Sequence, residues 1–385
     1  MKIMKPFDVY TLWPVELVRG RGCAVWDAEG REYLDFYGGH GVISVGHAHP
    51  AYVEAVQRQV AKLGFYSNSV INSLQDELAE RLGRASGYED YALFLSNSGA
   101  EANENALKLA SFHTGRRRVL ALRGAFHGRT SGSVAATDNP AIVSPYNAVH
   151  EVTFVPFDDL ETAQRELATQ QYAAVIVEGI QGVAGVHEPS PEFLLGVQRA
   201  ARANGTVLIL DEIQSGYGRT GRFFAHQHSG VQPDIITTAK GMGNGFPIGG
   251  TLISPEFRPV KGMLGTTFGG NHLACAAACA VLAIIGEEGL VAAASARGER
   301  LLAALRGLAA QYPDVIVDVR GRGLMVGIEL TARGIPVRAA LLSEERIFTG
   351  GSGNNVIRLL PPLTVSDAQI DMFLGKLERL LKSVH

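Results

Sequence analysis

The feature that most constrains this chain is an alternation of two patterns. From about residue 72, short apolar runs at 92–95, 119–122, 153–155, 174–177, 207–210 and 235–237 recur between longer amphipathic stretches such as 74–82, 161–168 and 193–203. The runs have strand length, and the stretches between them carry apolar residues near helical spacing. Strands and helices in such alternation build a mostly parallel sheet with helices on both faces, so the class expected is α/β. After about Asn271 the pattern changes to an Ala-rich helix, a long amphipathic helix around 297–311, several short strands and a closing helix over 367–382. A large domain over 61–275 and a smaller α+β domain over 276–385 are therefore expected. The Gly-rich stretches 241–250 and 262–271 read as loops, though neither has the composition of a flexible linker.

Composition narrows the function classes. With 385 residues, 46% of them hydrophobic, the chain can bury a large core without staples. A net charge of -3 argues against nucleic acid or an anionic membrane as the main partner. The three cysteines, Cys23, Cys275 and Cys279, have no metal-ligand spacing and suit a reducing cytosol, the last two as helix-core residues. The start of the chain lacks the continuous apolar region of a signal peptide, and no stretch of about 18 apolar residues suggests a membrane span. A cytoplasmic small-molecule enzyme is the expectation.

In α/β sheets ligands collect beyond the carboxyl ends of the strands. The run 92–95 leads into Ser96-Asn97-Ser98-Gly99-Ala100-Glu101 and a helix, whose first N–H groups at Ser98, Gly99 and Ala100 suit a phosphate. Alone, this segment reads equally as a helix N-cap. The run 207–210 ends on Asp211, a carboxylate at the mouth of a central strand, where a protonated pyridine nitrogen is a fitting partner. A loop cap is the plainer alternative. The run at 235 ends in Lys240, which burial could keep neutral enough to form an imine with an aldehyde, whereas most lysines are solvated charges. The combination on three strands, in this order, is far more specific than any member.

The chain resembles the class III branch of fold-type I aminotransferases, which includes the acetylornithine, succinylornithine and ornithine enzymes. The matching segments are Ser-Asn-Ser-Gly-Ala-Glu-Ala-Asn at 96–103, Phe-His-Gly-Arg-Thr at 126–130, Asp-Glu-Ile-Gln-Ser-Gly at 211–216, Lys-Gly at 240–241 and Thr-Thr-Phe-Gly-Gly-Asn at 266–271. The resemblance implies pyridoxal 5'-phosphate held as a Schiff base on Lys240, which also moves the proton in catalysis. It implies that Asp211 pairs with the pyridinium, Phe126 stacks on the ring beside His127, Gln214 reaches the phenolic oxygen and Glu178 orients the site. It implies a homodimer in which Thr267 reaches the partner's phosphate, and an N-terminal segment, 1–60, shared between the small domain and the dimer interface. Arg129 with Tyr10 would hold the α-carboxylate of an N-acylornithine whose δ-amino group reacts. Arg358 would hold the α-carboxylate of glutamate or 2-oxoglutarate. Surface ion pairs are the ordinary fate of such arginines. N2-acetylornithine is the first expected substrate, ahead of N2-succinylornithine, ornithine, 4-aminobutyrate and succinyl-diaminopimelate.

One segment departs from the family pattern. Where relatives carry Glu-Pro-Ile-Gln-Gly-Glu, this chain reads Glu178-Gly179-Ile180-Gln181-Gly182-Val183. The glutamate that pairs with the arginine matching Arg358 is missing, so Arg358 is expected to be free for another partner. Other classes fit less well. Gly241-Met242-Gly243-Asn244-Gly245 lacks the strand and helix of a dinucleotide fingerprint. His47 with His49, and His226 with His228, lack a third ligand at zinc-site spacing and read as turn histidines, so no metal is expected. A non-catalytic relative would not need Lys240, Asp211 and both arginines.

Overall fold

The computed structural model describes residues 4–384; Met1 to Ile3, Lys2 among them, and His385 lie outside it. Three short strands open the chain, β1 (Leu17–Arg21), β2 (Ala24–Asp27) and β3 (Glu32–Asp35), paired antiparallel in that order. Their half-exposed residues make no apolar run, which is why the sequence pattern does not mark them.

The central sheet holds seven strands: β4 (Ala92–Ser96), β5 (Arg118–Leu122), β6 (Val152–Val155), β7 (Tyr172–Glu178), β8 (Val207–Asp211), β9 (Ile235–Thr238) and β10 (Gly249–Ile253). Their order is β4-β10-β9-β8-β7-β5-β6, with β10 alone running against its neighbours. Each of the six expected runs lies in one of these strands. Every residue of β7 and β8 is buried, as the apolar continuity of strands covered on both faces requires.

Strand β10 corrects the reading of 241–250 as loop throughout. It begins on Gly249 and Gly250, and glycine inside a strand hides the apolar pattern while permitting close approach. A side chain at Gly249 would collide with the Ser98 carbonyl, so the glycine lets the loop after β4 pass directly over the strand.

The covering helices start on side-chain caps that satisfy their first N–H groups. Asn72 caps the helix Ser73–Ser86, Asp159 caps Leu160–Leu167, and Ser190 caps Pro191–Ala203. The helix His272–Glu287 buries Cys275 and Cys279. The next helix, Leu290–Gln311, begins a full two turns before the stretch where its amphipathic spacing is plainest. Strands β11 (Ile316–Arg322), β12 (Met325–Leu330), β13 (Ile347–Phe348), β14 (Gly350–Ser352) and β15 (Val356–Leu359) precede the last helix, Asp367–Val384. Four of them form a sheet ordered β11-β12-β15-β14, and β13 pairs parallel with β3, stitching the two ends of the chain together. Among the described residues no single helix is long and apolar enough to cross a membrane.

Candidate active site

The carboxyl ends of β4, β5, β7, β8 and β9 open on one side of the sheet, the place where such folds bind ligands. A cleft of about 380 Å³ lies there, in the range of small-molecule sites. Ser98, Gly99, Ala100, Phe126, His127, Arg129, Glu178, Asp211, Gln214 and Lys240 all line it, gathered from segments far apart in sequence. Arg358 stands behind the cleft wall on β15, buried, with its Nη1 on the Gly182 carbonyl at 3.0 Å.

Asp211 is the most completely held of these groups. It is 4% exposed, and its Oδ2 accepts from Asn103 Nδ2 at 2.8 Å and faces His127 Nδ1 at 2.7 Å. Its Oδ1 accepts the Ile213 N–H at 3.0 Å. A carboxylate has about four acceptor positions, so one remains for a further donor. Asn103, fully buried in the helix Gly99–Thr114, also donates to the His127 carbonyl and accepts from Thr237, locking β8, β9 and the loop after β5 together. Sequence reasoning did not single out Asn103. Its position one helical turn beyond Gly99 in the 96–103 segment is the signal that points to it.

At the helix start, Ser98 Oγ accepts the Glu101 N–H at 3.2 Å, and the Glu101 carboxylate folds back onto the Asn97 N–H at 2.7 Å. Ser98 is thus the N-cap, and the carboxylate three places on reaches back to the N–H of the residue before the cap. The cap occupies the Ser98 hydroxyl, while the N–H groups of Gly99 and Ala100, which line the cleft, have no partner within the helix and have the helix dipole behind them. The N-cap reading therefore holds, and the turn leaves N–H groups of the kind that suit a phosphate. Gly99 leaves room there, since a Cβ would meet the Ile213 side chain at 2.8 Å.

Glu178 ends β7 with its Oε1 accepting the Phe126 N–H at 2.9 Å and its Oε2 the Gly182 N–H at 3.1 Å. Burial above all pushes its pKa up to about 7, Asp211 adding to the shift and His127 opposing it. Lys240 follows β9 in a left-handed conformation, φ 44°. Its pKa is lowered, first by burial and further by Arg358, against the opposing pull of Asp211 and Glu178. The amine is therefore easier to deprotonate than a solvated lysine.

Two buried polar atoms at the cleft have no partner: Nε2 of His127 and Oε1 of Gln214, whose Nε2 donates to the His40 carbonyl at 3.0 Å. Buried polar atoms are normally satisfied, so both await a ligand. Tyr10 is not brought here: it is 78% exposed and does not line the cleft. Thr267 is also exposed and does not line the cleft. Of the histidine pairs, His47 contacts Asp35 and His49 contacts Glu288, each at 2.8 Å. His226 is bound to Glu212 at 2.7 Å, and His228 bonds to Thr220. Among the described residues no cluster of three or more His, Cys, Asp or Glu could hold a metal.

Residues 8–381 match the family described as Aminotransferase class-III. The chain is a class-III aminotransferase. This aminotransferase is 43% identical over 372 residues to the acetylornithine aminotransferase of Streptomyces coelicolor, covering 95% of this chain and 90% of that one. It is 41% identical to the acetylornithine aminotransferase of Methanopyrus kandleri, covering 98% and 96%. Among solved structures, the ornithine aminotransferase of Toxoplasma gondii superimposes with a TM-score of 0.92 at 29% identity, covering 98% and 93%. The acetylornithine aminotransferase of Elizabethkingia anophelis does so with a TM-score of 0.86 at 31% identity, covering 98% and 96%. The aminotransferase has the fold-type I architecture and depends on pyridoxal phosphate. The groups present fit that cofactor: an open acceptor position on Asp211, unpartnered atoms on His127 and Gln214, and free helix-start N–H groups.

Proposed function

We propose that this aminotransferase moves the δ-amino group of N2-acetylornithine to 2-oxoglutarate, giving N-acetylglutamate 5-semialdehyde and glutamate, a step of arginine biosynthesis. The observation that carries the reading is identity above 40%, over nearly the whole length, to relatives named acetylornithine aminotransferase. An arginine at the cleft, Arg129, and a second behind its wall, Arg358, supply cations for substrates that each bear a carboxylate.

Bound pyridoxal phosphate supplies an electron sink for the negative charge that develops at the carbon bearing the amino group. Lys240 would hold the cofactor covalently, and its amine would move the proton at that carbon. Asp211 keeps the ring nitrogen protonated, with Asn103 and His127 fixing the carboxylate. Gly99 and Ala100 take the phosphate from the helix start, and Ser98 holds that turn in shape. Phe126 lies against the ring, Gln214 reaches its phenolic oxygen, and Glu178 orients the loop that carries Phe126. Arg129 takes the α-carboxylate of the acylornithine without Tyr10, which lies away from the cleft. Arg358 takes that of glutamate or 2-oxoglutarate.

The enzyme acts as a cytoplasmic homodimer, Thr267 serving the phosphate of the partner. Exposed Phe65, Tyr66, Ile71 and Phe268 near Thr267 form an apolar surface that supports this assembly. The small domain joins 1–60 to 276–385 around the large domain 61–275, a division supported by the pairing of β3 with β13. The test is a steady-state comparison of kcat/KM for acetylornithine, succinylornithine and ornithine with 2-oxoglutarate. A clear preference for acetylornithine is expected. A preference for succinylornithine or ornithine would reassign the substrate.

A further inference from the structure

Three contacts fix the guanidinium of Arg358, and none is a carboxylate. Nε donates to the Gly351 carbonyl at 3.0 Å, Nη1 to the Gly182 carbonyl at 3.0 Å, and Nη2 to the Tyr37 hydroxyl at 3.3 Å. The Tyr37 ring centre lies 5.8 Å from the guanidinium carbon, within cation–π reach. Guanidinium has five N–H groups, so one on each terminal nitrogen is left without a described acceptor. Free protons on both terminal nitrogens are what an arginine needs to grip a carboxylate bidentately.

Val183, next to Gly182, lines the cleft at 40% exposure and brings no charge to the cation. Glu178 acts on this buried guanidinium without forming an ion pair, so dipoles and a ring face hold it in place. Tyr37 is built for that. Its ring is wedged against Gly350, where any side chain would collide with it. Its hydroxyl is hydrogen-bonded to His40 Nδ1. Partial burial, together with the charges of Arg358 and Lys240, lowers the His40 pKa, and an unprotonated Nδ1 can accept the phenol proton. The phenol oxygen then keeps its lone pairs for Arg358.

We propose that Tyr37 is a positioning residue that aims the Arg358 fork at the α-carboxylate of the dicarboxylate substrate, glutamate or 2-oxoglutarate, without neutralising it. This rests on the role given to Arg358 above. Arg358 stays charged and unmasked through both half-reactions, and the acylornithine half does not use the fork.

The test uses the purified holoenzyme and separates the two halves. With Tyr37→Phe, KM for 2-oxoglutarate rises about tenfold, the worth of a hydrogen bond to a charged group, while conversion of the bound cofactor by acetylornithine alone, followed by absorbance, changes less than about twofold. Tyr37→Leu, which also loses the ring, raises KM further with the same split. Arg358→Lys is the reference. If it raises KM and Tyr37→Phe does not, the proposal is overturned while the role of Arg358 stands. If neither raises KM, the role of Arg358 falls, and the proposal with it. Equal losses in both halves for Tyr37→Phe would make Tyr37 merely structural and overturn the proposal.

Discussion

Nδ1 of His127 lies 2.7 Å from Oδ2 of Asp211, both side chains buried, and the other ring nitrogen of His127 has no partner. Together with Asn103 on the same oxygen, this contact fixes the carboxylate from one side and leaves Oδ1 the freer atom, with the Ile213 N–H as its one described donor. The proposed chemistry depends on that arrangement.

Asp211→Asn keeps the shape but replaces an acceptor-only group with one that also donates. We expect kcat to fall by about two orders of magnitude or more, the scale seen when one preorganised electrostatic group is removed, with the cofactor still bound. Stopped-flow spectra of the reaction with acetylornithine measure this. A variant within tenfold of wild type would remove the ring-nitrogen role.

Gly99→Ala places a methyl group 2.8 Å from the Ile213 side chain at the start of the helix. Ile213 or the turn must shift, and any movement of the turn displaces the N–H groups assigned to the phosphate. Cofactor affinity is expected to drop about tenfold or more, as for a lost charge-assisted hydrogen bond, while the secondary structure is retained. Titration of cofactor-free protein with pyridoxal phosphate, alongside circular dichroism, measures both, and unchanged affinity would contradict the assignment.

Glu178 links stability to pH. Its pKa is raised from 4.5 to about 7, so the native state binds this proton more tightly than the unfolded chain does. The stability it contributes is full below pH 4.5 and is lost as the pH rises through about 7. Calorimetry of the cofactor-free protein is expected to show a smaller fall in Tm over that window for Glu178→Gln than for wild type. Identical pH slopes would show that the carboxyl titrates normally.

The parallel strands were legible because β7 and β8 are buried on both faces and so read as unbroken apolar runs. The opposite holds for β10, whose glycines allow close contact and erase the pattern, and for β1 and β2, where half-exposure leaves no run to see. Lys240 and Asp211 were found at strand ends because the fold class says where ligands collect. Tyr37 was invisible for a different reason: it meets Arg358 across 321 positions, and no spacing in sequence encodes such a contact. The exposed position of Tyr10 was equally hidden, since local pattern says nothing of where the N-terminal segment lies.

Most directly decisive is a chemical trap of the covalent link to the cofactor. Borohydride reduction of the holoenzyme, followed by peptide mass mapping, is expected to leave the cofactor fixed on one side chain, Lys240. Fixation on any other lysine, or none with the cofactor bound, would contradict the central assignment.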